Sequence, residues 1–165
     1  MYNYWSWFEV GVTKEDAALG KVIVVCLEEI ENSRPFFIGK VGSHYGSTIE
    51  INDPIRISNL KERWGDWIET AIKNGLSITE IEMLYGVLLN PKDINAYFFI
   101  KNDDTEREKN EKLRNLISEI RNNKKDYPVY DYHSVDELGE QIKNEFRLLL
   151  NELYPNQEEI SNLDR

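Results

Sequence analysis

Two segments of this chain are apolar on both sides of an extended strand. One is Pro35-Phe36-Phe37-Ile38-Gly39-Lys40-Val41, the other Ala96-Tyr97-Phe98-Phe99-Ile100. A strand with one wet face alternates apolar and polar residues. A strand without that alternation needs cover on both sides, and such cover comes from helices packed on the two faces of a parallel sheet. A third short strand is expected over 127–130, and residues 4–10 are aromatic and apolar enough for another.

The segments between these strands carry helical patterns. Thr13 can cap a helix, with Glu15 and Asp16 placed well in its first turn. Val22-Ile23-Val24-Val25 within it is strand-like by propensity. Val22, Cys26 and Ile30 nevertheless repeat at helical spacing, so 14–32 is read as helix. Residues 43–58 are a loop rich in Gly, Ser, Asn and Pro. Residues 59–74 form a helix with Leu60, Trp64, Trp67, Ile68, Ala71 and Ile72 on one side, ended by Gly75. Ser77 opens a helix to about Leu89, closed by Asn90-Pro91. Asp104 to Asn122 is a charged helix with a thin stripe of Leu113, Leu116, Ile117 and Ile120. Ser134-Val135-Asp136-Glu137 is a capping box for the last helix, whose apolar face is Leu138, Ile142, Phe146, Leu149 and Leu153. Alternating strands and helices predict an α/β domain with three layers over 1–155, followed by a polar tail at 156–165.

Composition narrows the partners. The 165 residues carry 30 acidic and 20 basic side chains, a net charge of −10. Nucleic acid and anionic membranes select basic surfaces, so neither is the expected partner. Cys26 is the only cysteine, and His44 and His133 are the only histidines. No disulfide can close within the chain, and no metal site or cofactor is implied. No run of 18 apolar residues occurs, and Met1-Tyr2-Asn3-Tyr4-Trp5 lacks a signal-peptide core. A reducing cytoplasm is the expected setting.

Candidate site residues gather where an open α/β sheet binds ligands, outside the carboxyl ends of strands and beside helix N-termini. Gly39, Gly42, Tyr45 and Gly46 surround the end of the first buried strand, and Ser77 opens a helix; these five are the candidate ligand-binding residues. The glycines let a ligand approach the backbone, but their spacing is neither G-x-G-x-x-G nor a Walker A motif. Glu80 and Glu82 are the candidate catalytic carboxylates. Glu80 is also the reciprocal member of a capping box with Ser77. Glu82 lies on the flank of the face made by Ile78, Ile81, Tyr85 and Leu89, where a carboxylate is half-buried and its acidity open to tuning. Trp64 and Trp67 are read as core or interface, and His133 has no evident acid/base partner.

The order of these pieces resembles the TIR-like domain of unknown function at the N-termini of STAND-type NTPases, such as the telomerase- and vault-associated protein and the nephrocystin-3 type. The residues that carry the resemblance include Gly11-Val12-Thr13, Cys26-Leu27-Glu28-Glu29-Ile30, Arg34-Pro35-Phe36-Phe37-Ile38-Gly39 and Gly42-x-x-Tyr45-Gly46. They continue through Ser77-Ile78-Thr79-Glu80-Ile81-Glu82, Tyr85-Gly86-Val87-Leu88, Asn90-Pro91, Ala96-Tyr97-Phe98-Phe99 and Glu137-Leu138-Gly139. The resemblance implies a flavodoxin-like parallel sheet, here N-terminally truncated by the loss of the family's first strand and helix. It also implies a signalling or effector role ahead of an oligomerising ATPase. The leading expectation is a noncatalytic or degenerate module acting through a protein partner or self-association. The alternative is an NAD- or nucleotide-hydrolysing enzyme using the helix-borne Glu82, with Glu80 second. A further alternative is a small-nucleotide sensor.

Overall fold

A computed structural model describes residues 20–103, 107 and 109–155. The element order is α1 (Lys21–Ser33), β1 (Phe36–Val41), α2 (Pro54–Trp64), α3 (Trp67–Lys73), α4 (Ile78–Met83), β2 (Asn95–Lys101), α5 (Glu111–Asn122), β3 (Val129–Tyr132) and α6 (Val135–Leu153). A π-helical stretch, Leu84–Leu88, continues α4. The strand expected over 4–10, the Thr13 cap and the tail 156–165 lie outside the described residues.

The three strands form one parallel sheet in the order β1-β2-β3. Phe36 stands opposite Asn95, Ile38 opposite Tyr97 and Val41 opposite Ile100; Phe98 stands opposite Val129. A three-stranded parallel sheet with helices on its faces is an α/β fold of the flavodoxin-like kind, as expected. Because side chains alternate along a strand, Phe37, Val41, Ala96, Phe98 and Ile100 share one face. They pack with Met83, Val87 and the α5 stripe Leu113, Leu116, Ile117 and Ile120. Tyr97, Phe99, Tyr130 and Tyr132 face the other way, beneath Leu138 and Ile142 of α6. A separate cluster joins α1 to α2, α3 and the outer side of α4 through Ile23, Leu27, Leu60, Trp64, Ile68 and Ile81. No helix among the described residues is long and apolar enough to cross a membrane.

Several boundaries differ from expectation, each for a local reason. The loop 43–58 ends earlier, because Asp53 caps α2: its carboxylate accepts from the N–H of Ile55 at 2.9 Å, and Pro54 takes a first-turn position. The helix expected over 59–74 is two helices. Gly65 adopts φ +94, and the Trp67 indole N–H donates back to the Trp64 carbonyl at 2.6 Å. Gly75 does end the second piece: at φ +60, it and Leu76 donate to the carbonyls of Ile72 and Ala71, both at 3.0 Å. The charged helix expected from Asp104 is described as Glu111–Asn122, opened by Asn110, whose side chain accepts from the Leu113 N–H at 3.1 Å; 107 and 109 before it are helical, and 104–106 and 108 lie outside the described residues. The third strand starts at Val129 and not Tyr127, since Pro128 has no N–H for the ladder. Residues 21–30 are helical, and Val22, Ile23 and Leu27 are buried.

Two glycines fix how closely the layers approach. A Cβ on Gly39 would lie 2.5 Å from the Phe98 ring, and one on Gly86 would lie 2.2 Å from the Phe37 ring. Phe98 is fully buried, so it has nowhere to retreat. Gly39→Ala is therefore expected to destabilise the domain by about 1–3 kcal/mol, the range for overpacking a core. A urea melt with an unchanged midpoint would refute that.

Candidate functional site

The two stretches singled out in the sequence do meet. The segment after β1 folds onto the N-terminus of α4: the Ile78 N–H donates to the Ser47 carbonyl at 2.9 Å, and Thr48 forms an antiparallel bridge with Ser77. Ser77 is wholly buried, and its hydroxyl oxygen accepts from the Glu80 N–H at 3.1 Å. That is the expected N-cap. The reciprocal half is made differently. The Ser77 N–H donates to the Tyr45 hydroxyl at 3.2 Å, and that hydroxyl donates in turn to the Glu80 carboxylate. Tyr45 thus stands inside the capping box as a relay. Its place explains why a glycine follows: Gly46 has φ +96 and lies against Thr79 and Ser77.

Electrostatics follow from this enclosure. Burial, with the Glu80 carboxylate beside it, pushes the Tyr45 hydroxyl up to about 12. Burial also raises Glu80 above the usual carboxylate range, opposed by the bond from Tyr45. The Lys112 ammonium lies 5.8 Å from the Tyr45 ring centre and donates to the carbonyls of Asn74 and Gly75 at 2.8 and 2.7 Å. The donors of Ser77, Ile78 and Glu80 at this helix start are thus all engaged by the chain's own residues.

Glu82 belongs to a different surface. Two residues along an α-helix is a turn of about 200°, so Glu80 and Glu82 project to opposite sides of α4. Glu82 meets the Cys26 thiol of α1, next to a small cluster of Val22, Ile78, Val25 and Ile49. Burial raises the Glu82 carboxyl, partly offset by the thiol hydrogen bond, and raises the thiol as well. Of the glycines, Gly39 is enclosed beneath Phe98, whereas a side chain at Gly42 would meet open space. Two grooves of about 370 and 380 Å³ flank α2, and neither is lined by Glu80, Glu82, Tyr45 or the β1 glycines. Among the described residues no group of three or more His, Cys, Asp or Glu could hold a metal ion.

A second polar cluster lies toward the amino end of the sheet. The Glu31 carboxylate accepts from the Trp64 indole N–H and the Tyr85 hydroxyl, both at 2.7 Å, and from Arg63 at 3.0 Å. These donors, Tyr85 foremost, hold its pKa below the usual carboxylate range. Tyr85 sits in the π-helical stretch, stacks on Trp67 with ring centres 6.0 Å apart, and has the Arg34 guanidinium 5.4 Å from its ring centre. Trp64 is buried as its helical spacing predicts, but that spacing does not reveal Glu31. The available signal was that a buried indole or phenol needs a polar partner. His133, expected to lack an acid/base partner, has one in Glu137: its backbone N–H donates to that carboxylate at 2.8 Å and its ring Nδ1 lies 3.2 Å from the same oxygen, while Nε2 approaches Asn102 at 3.0 Å.

The sequence model of a family described as "Domain of unknown function (DUF4062)" matches residues 6–147. No curated protein and no solved structure matches the chain.

Two measurements check this geometry. Ser77→Ala should cost about 1 kcal/mol as a lost N-cap, and Tyr45→Phe about 1–3 kcal/mol, because it strands the buried Ser77 N–H and strips Glu80 of a donor. Equal stability of the Tyr45→Phe protein would contradict the relay. Glu82 gives a pH signature. Its pKa is raised in the folded state, so folding favours the protonated form. Glu82→Gln should then stabilise the protein at neutral pH. The gain should shrink as pH falls through the raised value toward 4.5, its ordinary value. A gain that grows in acid would refute the burial.

Proposed function

We propose, for a chain that belongs to the DUF4062 family of domains of unknown function, that it is a TIR-like signalling module working by protein–protein contact and not by turnover. The motif order from Gly11 to Gly139 relates it to the domains that precede STAND-type NTPases, and we place it in the cytoplasm. One observation carries the reading: the two candidate carboxylates sit on opposite sides of one helix, and each already has a partner from its own chain. A catalytic carboxylate must reach the reacting atom, and a pair must converge on it. Glu80 is bound to Tyr45 and Glu82 to Cys26.

The enzyme reading has one feature in its favour. Glu82 is a half-buried carboxyl with a raised pKa, a property shared with general acids. Under that reading it acts on NAD or a related nucleotide.

Incubation of the chain with NAD and ATP, followed by mass spectrometry for binding and cleavage, separates these readings. The expected result is neither. Cleavage that disappears in Glu82→Gln would overturn the contact reading in favour of the enzyme, and binding without cleavage would replace it with a nucleotide sensor.

A further inference from the structure

We infer that the groove between α1 and α2 is the docking site for an acidic segment of a partner protein, anchored by an apolar side chain. The inference deepens the protein-contact reading and rests on it. The groove encloses about 380 Å³, near the small end of ligand-sized clefts. Its floor is apolar: Val24 of α1, Ile51 of the loop before α2, and Leu60 and Trp64 of α2. Gly20 and Ile51 close on one another there, since a Cβ on Gly20 would lie 2.7 Å from Ile51.

The rim carries the charge. Lys21, Arg56 and Arg63 line the groove, and among the described residues no Asp or Glu does. Asp53 pairs with Arg56 at 3.3 Å, and Glu28 and Glu31 pair with Arg63, yet those three carboxylates lie outside the lining. α1 adds to the same sign. Its N-cap is Gly20, which has no side chain to close the helix, and its first turn holds no acid. Nothing in that turn offsets the positive end of the helix dipole. A chain with 30 acidic and 20 basic side chains thus sets three cations around one apolar floor.

The groove on the other side of α2 makes the contrast. Its Lys61 and Lys73 pair with Glu69 at 2.7 and 2.6 Å, and Glu69 lines that groove with them. There the charge is met within the lining. Between α1 and α2 it is left for an incoming carboxylate. The floor decides which anion fits. Aliphatic side chains favour an apolar anchor, which a phosphate does not supply. A nucleobase needs an open ring to stack on. The Trp64 ring has the Arg63 guanidinium 4.5 Å from its centre, and its indole N–H donates to Glu31. A peptide with Leu, Ile or Phe between Asp or Glu residues satisfies floor and rim together.

A randomised peptide library displayed on phage and panned against the whole chain tests the groove. The expected result is enrichment of sequences in which a large apolar residue is flanked by Asp or Glu. A synthetic copy of the enriched peptide should then bind in fluorescence anisotropy, more weakly as salt is raised. Lys21→Glu and Arg56→Glu should each weaken that binding by about tenfold or more, as for charges paired across an interface. Asn59→Trp, which puts a large ring into the lining from an exposed position, should block it. Lys125→Glu, the same charge change at an exposed position beyond α5, should leave it unchanged. Circular dichroism reads the folding of each variant, and any one of the three groove variants that folds carries the test. No enrichment of acidic–apolar peptides, binding indifferent to the groove substitutions, or displacement of the peptide by ATP overturns the inference. So does a dimer, read by sedimentation velocity, that the same substitutions dissociate, since it assigns the groove to a second copy. The two readings fail separately. Nucleotide cleavage lost in Glu82→Gln removes the contact reading whatever the library yields, and a library without enrichment removes the groove alone.

Discussion

The close approach of β1 and β2 around Phe98 is the constraint that the remaining packing obeys. Phe98 is fully buried, lies 4.6 Å from the Tyr127 ring centre and 6.0 Å from that of Phe37, and leaves no space for a side chain at position 39. Phe37 in turn fills the place where Gly86 has no side chain. Each ring occupies a gap made by a glycine on a neighbouring element, so sheet and α4 are fitted to one another by shape as well as by apolarity. A glycine at 39 therefore has a structural reason before any ligand is considered, while the open space beside Gly42 leaves that position available to one.

The fold was legible where burial dominates. Apolar residues on both faces of 35–41 and 96–100 specify covered parallel strands; the two are parallel neighbours, but cover on both faces holds for β2 alone, since Phe36, Ile38 and Lys40 of β1 stand exposed at the edge of the described sheet. The helix at 21–33 was legible despite four consecutive residues from Val22 to Val25, because period outweighed propensity. Boundaries were less legible because they depend on single hydrogen bonds. Asp53 followed by Pro54 is a helix start, yet in a stretch of polar and small residues it looks like loop. The break at Gly65 needs the Trp67 indole to fold back on Trp64, a contact that no periodicity encodes.

The site was legible in its parts and not in its wiring. Ser77 and Glu80 announce a capping box, and the sequence brings Tyr45 near only once the β1 loop is known to dock on α4. The relay lies between residues 35 positions apart. Glu82 was placed on a flank, and a flank is where it lies. That Cys26 of α1 faces it could not be read from spacing within either helix. The same holds for Glu31, whose three donors come from α2 and the π-helical stretch.

The bridge between Thr48 and Ser77 has a further bearing on how such a chain can vary. It joins the loop after β1 to the cap of α4, so α2 and α3 form an excursion whose two ends touch. The excursion has its own apolar centre, shared with α1, and the sheet core is built without it. Lengthening or replacing 49–76 leaves the distance between those ends unchanged. The entropic cost of a longer closed segment rises only with the logarithm of its length. This part of the architecture is therefore a socket: a position at which one small helical unit can stand for another while the sheet core keeps its packing.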